Sequence, residues 1–233
     1  MKRFWRDVTV GAAEGGWRVL LDGRPIRTPR GAAQVVPGAA LAEAMAAEWR
    51  AQGDELDPAL FRYRDMADYA IDVVATDRAA LVRDLLAYAE TDTLCYRADP
   101  DEPLYRRQIE VWEPLLSAFE TREGVRLERA SGVLHRDQPE ATMARLRERL
   151  EALDPFALAA LNAMTALAAS LCVALSALEP DADVDALWQA ASLEELWQAE
   201  LWGVDELAEA RRARRGADFS TAAGFARLAR LPA

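Results

Sequence analysis

A chain of 233 residues with 52% hydrophobic content has ample material for a core, and its length suits one large domain or two small ones. Twenty-eight basic against thirty-nine acidic residues leave a net charge of −11. This argues against a nucleic-acid binder, whose affinity comes chiefly from Lys and Arg on phosphates.

The N-terminal MKRFWRDVTV carries charge but no apolar h-region, so no secretory signal is expected. Asp7 to Val10 reads as a strand. GAAEGG (11–16) reads as a hairpin loop, with no helix after it to receive a phosphate. In WRVLLDGRPIRTP (17–29), Asp22-Gly23 between two extended runs predicts a hairpin. Gln34 to Val36 adds a further short strand. Pro37 then opens a helix that Gly53 closes, with Leu41, Met45, Glu48 and Trp49 on one face. Residues 1–58 therefore read as a small α/β domain and 59–233 as a helical domain, an α+β chain. Helices are expected over Leu60–Ala75, Arg78–Glu90, Glu102–Glu123, Pro139–Leu153, Pro155–Leu178 and Val184 to about Ala213. The Ala-rich run 158–178 is long enough to span a bilayer. No basic cluster flanks it, so a buried central helix is the expectation, with no membrane insertion.

Chemistry is sparse. Cys95 and Cys172 lie far apart and form no CxxC pair, which points to a reducing compartment. The single histidine, His135, is the one available base for a Cys95 nucleophile, and Asp92 is a second candidate assistant. Three Cys and His residues in all make a zinc site implausible, and neither GxxxxGK[ST] nor GxGxxG occurs. No metal or cofactor is expected. The polar run AETDTLCYR (89–97) reads as a structural joint. Thr91 or Asp92 ends a helix, residues 93–96 alternate as an extended segment, and Arg97 pairs with Asp92 or caps a helix.

Two arrangements are unusual. Residues 181–209 hold nine acids and no Lys or Arg, together with Trp188, Trp197 and Trp202, whereas residues 210–233 carry six arginines against Asp218. An acidic, aromatic helix face is either a docking surface for a basic partner or a solvated face with its Trp residues packed inward. On one continuous helix from Val184, Glu195 falls within the stripe of Val184, Trp188, Ala191 and Trp202, with Gln198 near its edge. A carboxylate there needs a partner. Alternatively, Ser192-Leu193-Glu194-Glu195 is a capping box that opens a new helix. The continuous helix is the favoured reading.

RFWRDVTV, LDGRPIRTP, EWRAQGDEL, ETDTLCYR, VWEPLL and SLEELWQAELWG, in that order, resemble the F1 ATP synthase assembly chaperones of the ATP-twelve type, which handle the F1 alpha subunit. The resemblance covers about residues 3–215. It implies a small N-terminal α/β domain, a C-terminal orthogonal helical bundle, no catalysis, and alpha subunit as the protein client. Partner-binding positions are expected at Glu194, Glu195, Gln198, Trp202 and Trp49. After Gly203, VDELAEA departs from the family pattern. Mitochondrial members carry a presequence, so the chain resembles a bacterial, cytoplasmic relative, expected to be monomeric. A Cys95-dependent enzyme and a general acidic adaptor are the competing readings.

Overall fold

The computed structural model describes residues 2–132 and 135–230. They fall into two compact units. Unit 1 comprises the described residues of Met1–Arg78, Asp154–Ala160 and Gly224–Ala233; unit 2 comprises those of Ala79–Leu153 and Leu161–Ala223. The 58/59 division expected from sequence lies inside unit 1, because the helix that follows it is tied to the helix before it.

Unit 1 is built on an antiparallel meander: β1 (Val8–Ala13), β2 (Gly16–Leu21) and β3 (Arg24–Pro25), in the order β1-β2-β3. The register pairs Val8 with Leu21 and Val10 with Val19. Asp22 and Gly23, with φ of 49° and 76°, make the two-residue β2–β3 turn expected from the sequence. The Asp22 carboxylate also accepts the backbone N–H groups of Arg6 and Asp7. These two hydrogen bonds hold its pKa below the usual carboxylate value. Gln34–Val36 contributes only an isolated bridge, Val36 to Trp17.

Helix α1 (Ala39–Arg50) buries Leu41, Met45 and Trp49 at four-residue spacing and packs across β1 and β2. Its Glu48 carboxylate accepts Tyr63 N–H at 2.6 Å and Arg64 N–H at 2.9 Å, capping the N-terminus of α2 (Arg62–Tyr69). This bond ties residues beyond Pro58 to α1. The helix expected through Ala75 changes at Ala70–Val74 into one turn of π-helix. There Asp72 accepts the Thr28 hydroxyl at 2.7 Å and Arg30 N–H at 3.1 Å, pinning the loop after β3.

Unit 2 is helical. Its elements are α3 (Arg78–Glu90, from Ala79), β4 (Tyr96–Arg97), α4 (Pro103–Glu123), β5 (Ala130–Ser131), α5 (Glu140–Glu151), the later part of α6 (Pro155–Ala168), α7 (Leu171–Ala177), α8 (Val184–Ala191), α9 (Leu193–Trp202) and α10 (Glu206–Arg230, to Ala223). Pro103 opens α4 and Gly124, at φ 68°, ends it. Trp112, Leu116 and Phe119 of α4 are fully buried.

The single helix expected over 155–178 is two. Ala169 turns to φ 49°, and Ser170 restarts the chain by accepting Val173 N–H. The run is buried core, and among the described residues no helix is long and apolar enough to cross a membrane.

AETDTLCYR is a joint, although its interior differs from expectation. Thr93–Cys95 is a turn of 3₁₀-helix, and both Leu94 and Cys95 are buried. Arg97 pairs with Glu113 at 2.6 Å rather than with Asp92. The wholly buried Asp92 accepts Ser170 Oγ at 2.8 Å, Cys172 N–H at 2.9 Å and Leu94 N–H at 3.1 Å. These bonds cross-link the starts of two short helical segments.

Candidate functional site

The acidic segment is three helices rather than one. Asp183 caps α8 by accepting Ala186 N–H, and the favoured continuous helix stops at Ser192, whose ψ is 10°. The backbone nearly bridges the break: Ser192 N–H reaches Trp188 O, and Leu196 N–H reaches Ser192 O. The alternative holds in part: a new helix, α9, does open at Leu193 with Ser192 at its N-cap position, but the box's side-chain bond is missing, because Ser192 Oγ has no hydrogen-bond partner among the described residues.

Glu195 instead pairs with Arg215 of α10 at 2.8 Å, both about half-exposed. The same guanidinium donates to Leu167 O at 3.1 Å and lies 5.2 Å from the Trp188 ring centroid. Trp188 is buried against Phe219. Glu194 is exposed, yet its carboxylate is held at 2.7 Å by Nε2 of Gln108, a fully buried side chain of α4. Trp112 of α4 donates its indole N–H to Ala190 O at 2.8 Å. The start of α9 is thus anchored on both faces, and Gln198 is exposed on it.

The end of α9 has the opposite character. Every residue from Glu200 to Arg211 is exposed. Gly203, at φ 92°, ends α9, and Asp205 starts α10 by accepting Leu207 and Ala208 N–H. Four large apolar side chains stand at this corner: Leu201 (56% exposed), Trp202 (78%), Val204 (68%) and Leu207 (74%). They account for four of the seven exposed large hydrophobic residues described, and Glu200, Asp205, Glu206 and Glu209 intersperse them. A cleft of about 260 Å³ between α4, α8 and α9, lined by Val111, Leu196 and Trp197, lies beside the same helix. Apolar groups left in water at one place, rimmed by charge, are the mark of a surface that another molecule covers.

Trp49 is the expected site residue that does not join this group. It belongs to unit 1, where it is buried edge-on against Trp5 at 4.8 Å and tilted against Phe61 at 4.6 Å. Reading 184–213 as one helix hid Leu201, Val204 and Leu207. The signal that would have found them is Gly203 two residues before a capping Asp205, which bends the chain and lifts its apolar residues out of any shared stripe.

The competing catalytic reading fails on the thiol. Cys95 is buried, and burial, with the Asp92 charge adding to it, pushes its pKa up to about 12. His135 is engaged elsewhere, by the Tyr96 hydroxyl at 2.8 Å and Asp137 at 3.1 Å. No cluster of three His, Cys, Asp or Glu suited to a metal occurs among the described residues.

An exposed apolar corner with an acidic rim, on helices held from beneath, defines a protein that binds other proteins. The model of the ATP12 chaperone protein family matches residues 2–120. The chain belongs to that family: it is a chaperone, not an enzyme. The crystal structure of Atp12 from Paracoccus denitrificans superposes with a TM-score of 0.93 at 38% identity, over 98% of each chain. A point mutant of the same Paracoccus protein gives the same values. The mitochondrial protein atp12 of Schizosaccharomyces pombe is 27% identical over 218 residues, 87% of this chain and 74% of the yeast protein.

Proposed function

We propose that the protein is an F1 ATP synthase assembly chaperone, which binds the unassembled alpha subunit and prevents its aggregation before F1 forms. The single observation that carries this reading is the Glu200–Arg211 corner, with Leu201, Trp202, Val204 and Leu207 exposed among acids. An unassembled subunit presents apolar and strand-edge surface that its neighbours later cover, and that surface aggregates when left bare. A temporary cap needs apolar anchors for affinity and charges for steering and release. Trp202 is the anchor. Glu194, Glu195 and Gln198 supply the polar flank, and Trp49 acts through the unit 1 surface it supports. The charge distribution favours the same face. Unit 1 carries thirteen basic and thirteen acidic residues, whereas unit 2 carries fifteen and twenty-six and so holds the whole net charge of −11.

The test is light scattering of purified F1 alpha subunit on dilution. Wild-type protein should suppress aggregation, and Trp202→Ala with Leu207→Ala, or Glu194→Lys, should suppress it weakly while remaining folded. Equal protection by wild type and variants removes the corner as the site; no protection by wild type removes the function. Capture from a bacterial lysate separates this reading from a general acidic adaptor, which would retain a broad set of basic proteins rather than alpha subunit. The protein acts in the bacterial cytoplasm as a monomer, which sedimentation would register as 25.7 kDa.

A further inference from the structure

Three sequence segments not used by the corner meet in unit 1. Phe4 from RFWRDVTV, Trp49 from EWRAQGDEL, and most of LDGRPIRTP line one cleft of about 680 Å³. That volume is in the range of about 300–1,000 Å³ typical of ligand sites. The cleft wall after β3 is fixed rather than floppy, because Asp72 pins Thr28 and Arg30.

The chemistry of the lining is specific. Phe4, Pro25, Ile26 and Pro29 provide apolar walls, and Phe4 is 67% exposed. Arg24 and Arg27 stand exposed on the rim. The two acids of the lining are hydrogen-bonded, and the Asp22 charge also acts on Arg24. Asp22 accepts the Arg6 and Asp7 N–H groups, and Asp68 is held by Gln34 Nε2 and lies 3.8 Å from Arg64. Three arginines of the lining, Arg24, Arg27 and Arg64, outnumber these two carboxylates by one, on a chain that is acidic as a whole.

Two lining side chains, each more than nine-tenths buried, keep a polar atom without a partner: the Trp49 indole N–H, a donor, and Gln34 Oε1, an acceptor. Both atoms are closed off from solvent behind the cleft wall, so a ligand meets the exposed lining instead.

We propose that this cleft is a second polypeptide-binding site, which takes an extended segment carrying an apolar side chain next to an acidic one. The apolar side chain fills the space between Ile26, Pro29 and Phe4, and the carboxylate pairs with Arg24 and with the Arg27 nitrogens left over from its Nη1 bond to Gly31 O at 2.8 Å. The inference rests on the chaperone reading only in taking the ligand to be protein. The two sites have opposite preferences, acidic segments here and basic ones at the corner of unit 2, so each is assayed separately.

The test titrates the full chain with a fluorescein-labelled peptide, blocked at both ends, with a Phe-Asp-Leu-Glu core. The expected result is saturable anisotropy, a change in tryptophan emission that Trp49→Phe removes, and at least tenfold weaker binding in Arg24→Glu and in Arg27→Glu. Trp202→Ala should bind as wild type does. The proposal is overturned if the peptide does not bind, if a Phe-Lys-Leu-Lys peptide binds as tightly, if both arginine variants bind normally, or if phenylacetate displaces the peptide at equal concentration. Absent peptide binding with intact protection of alpha subunit defeats this inference alone. Intact peptide binding with no protection defeats the proposed function alone.

Discussion

The Glu195 carboxylate meets the Arg215 guanidinium at 2.8 Å, an ion pair that links α9 to α10. The contribution of its two halves is unequal. Glu195 makes an ion pair about half-exposed to water, and such pairs contribute about 0–1 kcal/mol. Arg215 also donates to Leu167 O and lies over the Trp188 ring. Glu195→Gln should therefore cost less than about 1 kcal/mol. Arg215→Ala should cost roughly 1–2 kcal/mol, from the lost carbonyl bond and ring contact. Urea unfolding of both variants measures the difference. Equal losses would show that the pair alone fastens the helices.

The same indole makes Gly216 intolerant of a side chain. A Cβ there would lie 2.6 Å from Trp188 Nε1 and 2.9 Å from Cδ1, atoms of a rigid buried ring. Replacing Gly by Ala inside an exposed helix ordinarily gains about 1 kcal/mol. Here Gly216→Ala should instead destabilise by about 1–3 kcal/mol, because the indole must move against Phe219. A higher melting temperature for Gly216→Ala would contradict the packing of α8 on α10.

Both cysteines should behave as core atoms rather than reagents. Cys95 and Cys172 are buried, and burial, with Asp92 nearby, raises both thiols, Cys95 to about 12. At pH 8 a disulfide reagent should label neither within minutes in native protein and both in urea. Rapid labelling of native Cys95 would reopen the thiol-enzyme reading that its burial closes.

What the sequence made legible was local. Asp22-Gly23 announces the β2–β3 turn because few residues accept positive φ at two successive positions, and Arg78–Glu90 is a helix to the residue. The break at Ser192 was legible only as the alternative to the favoured straight helix, since the hydrogen bonds from Ser192 to Trp188 and from Leu196 to Ser192 keep a nearly helical path. Glu195 looked like a misplaced core charge only on the assumption of a straight helix. Its partner, Arg215, is twenty residues away, and no helical periodicity across the bend at Gly203 links the two. The unit 1 cleft was hidden for a related reason. Phe4, Ile26 and Trp49 come together only through the meander and α1, and the short motifs that contain them carry no sign that they share a space.

Acid sensitivity should arise from α4. Burial alone would push Glu113 and Glu120 up, but hydrogen bonds outweigh it: Arg97 and Arg129 on Glu113, Arg129 and the Leu127 N–H on Glu120. Both carboxylates end below their ordinary value of 4.5. A lowered native pKa stabilises the fold above the unfolded-state value, and that contribution is lost as pH falls through the native one. Asp92, which burial raises, works in the opposite sense: its contribution is present below its unfolded value and lost as pH rises through its native one. The difference between wild type and a Glu113→Gln, Glu120→Gln variant isolates the α4 pair. The variant should be less stable than wild type at pH 7. The gap should close progressively below about pH 4.5, as the wild-type carboxylates take up protons and release Arg97 and Arg129. Urea unfolding at pH 7, 5 and 3.5 measures the gap, and a constant difference across the three would show that the arginines gain nothing from the charge of their partners.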